Sequence, residues 1–176
     1  MQYIGLFSRV GYCIGNSKTN DLLIHNREDL KHFRETTLNK IVIMGRKTVE
    51  SLPKKLEDRF VICLSRDKDY KTDKADVVLV SVDDVIQFCN NLETLWKIKE
   101  AYICGGSEVL NLFSDVVTKH IVTEFDEMLH NDVIKSAKDN IVMLPVSVRE
   151  QLVFWTKVVT HRGHEFNIVH YAKGIF

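Results

Sequence analysis

Charge of one sign is missing from this chain: 24 lysines and arginines face 24 aspartates and glutamates. No global field therefore gathers nucleic acid or an anionic membrane. No apolar run reaches the length of a transmembrane helix, and the N-terminus lacks a basic region followed by a long apolar one, so a soluble cytoplasmic protein is expected. CxxC and zinc-type spacings are absent too. Cys13, Cys63, Cys89 and Cys104 are scattered, mostly inside apolar runs, and read as small buried hydrophobes with free thiols in a reducing cytosol. There is no GxGxxG fingerprint and no P-loop lysine, which disfavours nucleotide hydrolysis. Without repeats, low-complexity segments or a linker, residues 1–176 are expected to form one domain with one sizeable core.

What is present begins with Ile41-Val42-Ile43-Met44-Gly45-Arg46-Lys47-Thr48-Val49-Glu50-Ser51-Leu52-Pro53. Four apolar residues suited to a buried strand run into glycine, two cations and a threonine, then a short helical pattern stopped by proline. A strand turning through glycine into a helix start leaves backbone N–H groups free, and the peptide dipoles favour an anion there. Arg46 and Lys47 add full charges, and the Thr48 hydroxyl can donate to a phosphate oxygen. An ordinary strand–helix connection with solvated cations would look similar, but a second corner of the same kind follows. Ala101-Tyr102-Ile103-Cys104 leads into Gly105-Gly106-Ser107 and the helical pattern Glu108-Val109-Leu110-Asn111-Leu112-Phe113. Paired glycines let a pyrophosphate approach the main chain, though Glu108 supplies no cation. Two such corners suggest a ligand with more than one phosphate.

Strand and helix patterns alternate elsewhere: strands at residues 3–7, 41–44, 60–64, 77–80 and 120–125, and helices at 27–35 and 47–52. A capping box of Ser81 with Asp84 opens a further helix through Phe88. Segments 152–160 and 166–171, joined by His161-Arg162-Gly163-His164-Glu165, read as a hairpin. The expected fold is α/β: a doubly wound, mostly parallel central sheet with an antiparallel C-terminal edge hairpin. On the helix at 27–35, Asp29 precedes Phe33 by one turn, with Leu30 beside them. An acid bordering an apolar groove can pair bidentately with an amidine-like ring edge. It could equally cap the helix start. Glu28 points about 100° away and cannot share that groove. Arg66-Asp67-Lys68-Asp69 mixes signs and looks like a solvated turn. His161 and His164, in a polar loop, are read as turn residues rather than metal ligands, and His32 as a helix-face residue.

Together these elements resemble dihydrofolate reductase. The family's strand–M-G-R-x-T-x-E-S–helix element matches Met44-Gly45-Arg46-Lys47-Thr48-Val49-Glu50-Ser51, and its glycine pair before a helix matches Gly105-Gly106. Its D-L-x-x-F element matches Asp29-Leu30-Lys31-His32-Phe33, and its V-I-G loop start resembles Cys13-Ile14-Gly15. The resemblance runs from Ile4 to about Asp132 and implies NADPH lying across both corners. Ile14, Gly15, Gly45, Arg46, Lys47, Thr48, Leu64, Ser65, Arg66, Gly105, Gly106, Ser107, Glu108 and Val109 would form its site, with Ser65 and Arg66 gripping the 2′-phosphate. Arg46 as well as Arg66 would be placed for that phosphate, and two such cations suit NADPH over NADH. Dihydrofolate would lie over Leu30, Phe33, Leu52, Leu56 and Cys104, with Asp29 on the pterin edge, Thr123 supporting Asp29, and Arg59 pairing the glutamate α-carboxylate. The hydride would pass to pterin C6, and N5 would take a proton from water near Asp29. A monomer is expected, with no nucleic acid or membrane partner.

The sequence departs from the family where W-x-x-P-x-D is usual. Here Ile24-His25-Asn26-Arg27-Glu28-Asp29 lacks both the tryptophan and the proline, after a polar loop of different length. Cys104 replaces a branched aliphatic residue, and residues 133–145 match nothing in the family pattern. A weakened enzyme is the expectation. The alternatives are a pyrimidine reductase of riboflavin synthesis, against which Asp29 and Arg59 argue, and a non-enzymatic binding descendant, which the missing indole encourages.

Overall fold

The computed structural model describes residues 1–174, and the last two residues of the expected 1–176 unit lie outside it. Strands β1 (Gln2–Val10), β3 (Ile41–Gly45), β4 (Phe60–Leu64), β5 (Val77–Leu79), β6 (Glu100–Ile103) and β7 (Val117–Phe125) are joined to β9 (Thr156–Arg162) and β10 (Phe166–Ala172) in one sheet. Its order is β5-β4-β3-β6-β1-β7-β10-β9. The six from β5 to β7 are mutually parallel, while β10 runs antiparallel to both β7 and β9. Short β2 (Cys13–Asn16) and β8 (Ile141–Met143) form an antiparallel flap that hangs from β1.

The central strands read as unbroken apolar runs because helices cover both faces. Ile41 and Ile43 of β3 pack toward α3 (Val82–Trp96), α4 (Ser107–Leu112) and α6 (Val146–Phe154), through Val85, Cys89, Leu110, Val148 and Leu152. Val42 and Met44 face the other way, toward Phe33 of α1 (Arg27–Thr37) and Val49 of α2 (Arg46–Ser51). Capping sets two of the helix starts. Asn26 Oδ1 accepts from the N–H groups of Glu28 and Asp29 at 2.9 and 3.1 Å, and the Ser81 hydroxyl accepts from Asp84 N–H at 3.1 Å while donating to its carboxylate. Asp29 is therefore not the cap of its own helix.

Several expected boundaries move. The helix opened by Ser81 does not stop at Phe88. Cys89 and Leu92 extend its buried stripe, and it ends at Trp96, where Lys97 turns left-handed at φ 57°. The expected strand at 152–160 begins only at Thr156. Leu152 belongs to α6, which runs on to Phe154, because it lies one turn from buried Val148, a helical spacing that the apolar run conceals. His161 and Arg162 belong to β9 and not to the loop, leaving residues 163–165 as the turn. Residues 133–143 form the rest of α5 (Asn131–Ala137), a 3-10 turn and β8, and residues 144–145 lead into α6. Cys13, Cys63 and Cys89 are buried free thiols, and Cys104 is half-buried. Among the described residues, no helix is long and apolar enough to cross a membrane.

Candidate active site

The carboxyl ends of β3, β4 and β6 emerge side by side, with Gly45 level with Leu64 and Ile43 level with Ile103. Ligands of open α/β sheets bind at such ends. Both glycine corners meet here. Gly45 N–H donates to the Gly105 carbonyl at 2.8 Å, and Cys104 N–H to that of Ile43 at 2.9 Å. A Cβ on Gly45 would stand 2.9 Å from Val109 Cγ2, so a side chain there would force the corners apart. Gly105 has φ +111° and faces open space, while Gly106 faces the Thr48 hydroxyl. The glycine N-caps of α2 and α4 offer no side-chain acceptor, so their first N–H groups stay available. Each helix is only six residues long, so the dipole contribution is slight and side-chain cations must supply most of the attraction for an anion.

Of the cations at these corners, Arg46 and Arg66 are already engaged. Arg46 Nε meets Glu50 Oε1 at 3.0 Å, its Nη1 meets Asp67 Oδ2 at 3.3 Å, and its guanidinium lies 4.8 Å over the Tyr70 ring. Arg66, just past β4, meets Glu108 at 3.5 Å across a largely exposed gap. Lys47 is exposed. Ser65 is buried, its hydroxyl accepting the Asp67 N–H at 3.2 Å. Ser107 donates its hydroxyl to the Met143 carbonyl at 2.7 Å, which ties the second corner to β8. On the same flap, Ile14 is half-buried and Gly15 is level with Val142 of β8.

The face of the sheet under α1 and α2 holds the groove. Phe33, Leu52, Leu56 and Cys104 pack together over Val42, Met44 and Cys63, and Ile24 joins Phe33 and Cys104 over the neighbouring cluster. Asp29 is 7% exposed. Burial raises its pKa above the ordinary carboxyl value, opposed by the hydroxyl of buried Thr123 and by His32. Leu30 is 45% exposed and lies at the open rim. Arg59 is half-buried, with Nε and Nη1 out of solvent and without a hydrogen-bond partner. Burial and then neighbouring Arg34 lower its pKa. The unused donors of Arg59, with a second cation nearby, suit a carboxylate ligand. Two surface hollows, of about 330 and about 260 Å³, lie elsewhere: one beside Arg9 and His164, the other between the loop at 16–25 and α5.

The dihydrofolate reductase family profile matches residues 9–142. The chain belongs to the dihydrofolate reductase family. It is 30% identical to the dihydrofolate reductase of Mycoplasma genitalium over 160 residues, 91% of this chain and 90% of that one. To that of Neisseria meningitidis serogroup A it is 32% identical over 162 residues, 92% and 91% of the two chains. The structure of the Enterococcus faecalis dihydrofolate reductase complexed with NADP(H) and RAB-propyl shares its fold, with a TM-score of 0.71, 19% identity, and coverage of 97% of this chain and 93% of that one.

As a dihydrofolate reductase family member, the chain also carries site neighbours that sequence reasoning passed over. Asp67 and Tyr70 reach Arg46 from the turn after β4, which looked solvated because its charges are mixed within four residues. Arg34, beside Arg59, stands one residue after Phe33 on α1, and the D-L-x-x-F spacing alone gave no reason to single it out. Met143 lies in the segment that matched no family element.

Proposed function

We propose that the chain reduces 7,8-dihydrofolate to 5,6,7,8-tetrahydrofolate with NADPH. What supports this reading is the set of groups this end of the sheet carries: the buried Asp29 carboxyl on α1, the half-buried Phe33, Leu52, Leu56 and Cys104, the partnerless Nε and Nη1 of Arg59, and the two joined glycine corners. The open space at Gly105 and the cluster of Arg46, Lys47 and Arg66 fit a cofactor bearing several phosphates. Gly45, Thr48, Gly106, Ser107, Glu108 and Val109 would line its pyrophosphate, Ile14 and Gly15 its nicotinamide, and Leu64, Ser65 and Arg66 its adenosine end. When bound, NADPH supplies the hydride that reaches pterin C6.

The chain's own residues then bind, orient and hold protons. Phe33, Leu52, Leu56 and Cys104, with Leu30 at the rim, flank the pterin and the benzoyl ring. Asp29 pairs with the pterin's ring N–H and amino group, and Thr123 fixes the carboxyl's orientation. The carboxylate that accepts these two donors would also orient a neighbouring water, from which N5 takes its proton and which solvent resupplies. Arg59 holds the glutamate α-carboxylate. Positioning and exclusion of water supply most of the acceleration. Residues 1–176 would act as one monomeric catalytic unit in the cytoplasm, with no nucleic acid or membrane partner. No feature of the site favours the pyrimidine reductase or the non-enzymatic binding protein over this reading.

The test is absorbance at the nicotinamide band with purified protein, NADPH and dihydrofolate. Loss of absorbance that requires both ligands is expected. Tight NADPH binding without turnover would overturn the proposal in favour of a binding protein.

A further inference from the structure

Arginine recognises phosphate best through two parallel N–H donors on one edge of its fork. Arg46 has two such edges, Nε with Nη2 and Nη1 with Nη2. Glu50 holds Nε at 3.0 Å, and Asp67 holds Nη1 at 3.3 Å, so each edge already has one donor in use. The Tyr70 ring, 4.8 Å beneath, fixes the plane of the fork. Glu50 comes from one turn along the same helix. Asp67 does not: it reaches over from the turn after β4, beside Ser65 and Arg66. Its own geometry is fixed there, because its Oδ1 accepts the Asp69 N–H at 3.0 Å and its N–H donates to the Ser65 hydroxyl at 3.2 Å. A carboxylate is thus held against Arg46 beside the residues assigned to the adenosine 2′-phosphate.

We propose that Asp67 is a specificity-determining residue, an internal anion that occupies Arg46 in the free protein and competes with the 2′-phosphate of NADPH. The proposal rests on the cofactor site described above. Binding NADPH requires Arg46 Nη1 to exchange the Asp67 carboxylate for a phosphate oxygen, whereas NADH has no 2′-phosphate and leaves the pair intact. Asp67 therefore lowers affinity for NADPH selectively and narrows the preference that the cations create. The Arg66–Glu108 pair has the same form, but at 87% and 67% side-chain exposure it is more fully solvated and weaker. Arg46 and Asp67, at 45% and 50%, are screened less.

The experiment is titration of NADPH and NADH against the wild-type protein, Asp67→Asn and Asp69→Asn. Asparagine keeps an oxygen for the Asp69 N–H and so preserves the turn. The Asp69 variant makes the same charge change two residues away. Asp67→Asn should tighten NADPH by about threefold, in the range of an exposed pair, and leave NADH unchanged, with Asp69→Asn moving NADPH by less. No tightening of NADPH, equal tightening of both nucleotides, or an equal gain in the Asp69 variant would overturn the proposal. Selective NADPH binding by the wild type with no gain in Asp67→Asn would overturn this proposal alone. A wild-type protein that binds neither nucleotide would overturn the cofactor reading and this proposal with it.

Discussion

Strand β7 turns one buried polar side chain to each face of the sheet, and the two are built in opposite ways. His120, 1% exposed, faces α6. Its ring stacks on Trp155 at 5.0 Å and meets the edge of Phe7 at 5.6 Å. Its Nε2 lies 2.7 Å from Gln151 Oε1, and Gln151 Nε2 donates to the Ser114 carbonyl at 2.7 Å, so Oε1 must accept and the histidine proton sits on Nε2. Three residues on, Thr123, 2% exposed, faces α1 and supports Asp29 beside an open groove. Both faces bury a titratable group and shift its pKa. The α1 face carries the partnerless donors of Arg59 and half-buried apolar side chains, whereas His120 is enclosed by Trp155 and Phe7. A shifted pKa alone does not make a site; a ligand must also be able to reach the group.

The sharpest way to break this comparison is Asp29→Asn. In the proposed reaction the carboxyl acts on the ligand, so the variant should fold and bind NADPH normally while turnover with dihydrofolate falls by about 100-fold or more, the usual scale of acid–base groups. Glu28→Gln, on the exposed side of α1, should stay within about twofold. Equal rates in wild type and Asp29→Asn would mean that the acid on this face is as structural as His120.

On the sealed face the large effect should be on stability. His120 Nδ1 has no partner and lies over Gly5, where an added Cβ would be 2.1 Å away. Gly5→Ala cannot be accommodated without moving a fully buried ring. It should cost about 3 kcal/mol or more in denaturant unfolding, at the upper end for overpacking, with activity per folded molecule retained. A cost near zero would show that the ring has room to move and that this face is not sealed.

A somewhat smaller effect is expected from pH. Burial pulls the His120 pKa down to about 4, from an ordinary value of about 6.5. Between those values the unfolded chain binds more protons, so stability should fall as pH drops from 6.5 toward 4, by about 2 to 3 kcal/mol, and be unaffected by this group above 6.5. Asp29 acts with the opposite sign. Its raised pKa makes stability fall as pH rises from the ordinary carboxyl range through the folded value, so Asp29→Asn should steepen the acid-side loss. Unfolding free energies at pH 7 and pH 4.5 for wild type, Asp29→Asn and His120→Phe would separate the two slopes. A profile unchanged in His120→Phe would show that another group carries the acid-side loss.

The open face was far more legible in the sequence than the sealed one. Gly45-Arg46-Lys47-Thr48 and Gly105-Gly106 are local patterns, and Asp29 with Phe33 follows from helical spacing alone, so each could be read within a few residues. β4 begins and ends where its apolar run does. His120 cannot be distinguished from its strand neighbours in the sequence because its partner Gln151 lies 31 residues on, in a helix whose last turn reads as the start of a strand. Asp67 reads as a solvated turn residue until β3 and β4 pair in register and carry it to Arg46, 21 residues earlier. Local chemistry shows in sequence; contacts made by folding do not.

The final contrast concerns size, and it carries the smallest expected effect. Where a methyl group at Gly5 should be intolerable, the open face should accept a whole indole. Ile24 stands where the family usually has tryptophan, half-buried with Phe33, Cys104 and Ile134 at the edge of the groove. In the proposed site a smaller side chain there would leave the pterin less completely covered, so the wild-type enzyme should show a raised KM for dihydrofolate and a rate limited nearer to chemistry than to product release. Ile24→Trp should lower that KM by about threefold, corresponding to about 0.6 kcal/mol of added substrate contact, with unfolding stability nearly unchanged. Steady-state kinetics read the KM, and a pre-steady-state burst, weak in wild type and stronger in the variant, reads the change in the limiting step. A tight wild-type KM with a pronounced burst would show that another residue already covers the pterin. A variant destabilised as much as Gly5→Ala would show that the α1 face is packed as tightly as the α6 face.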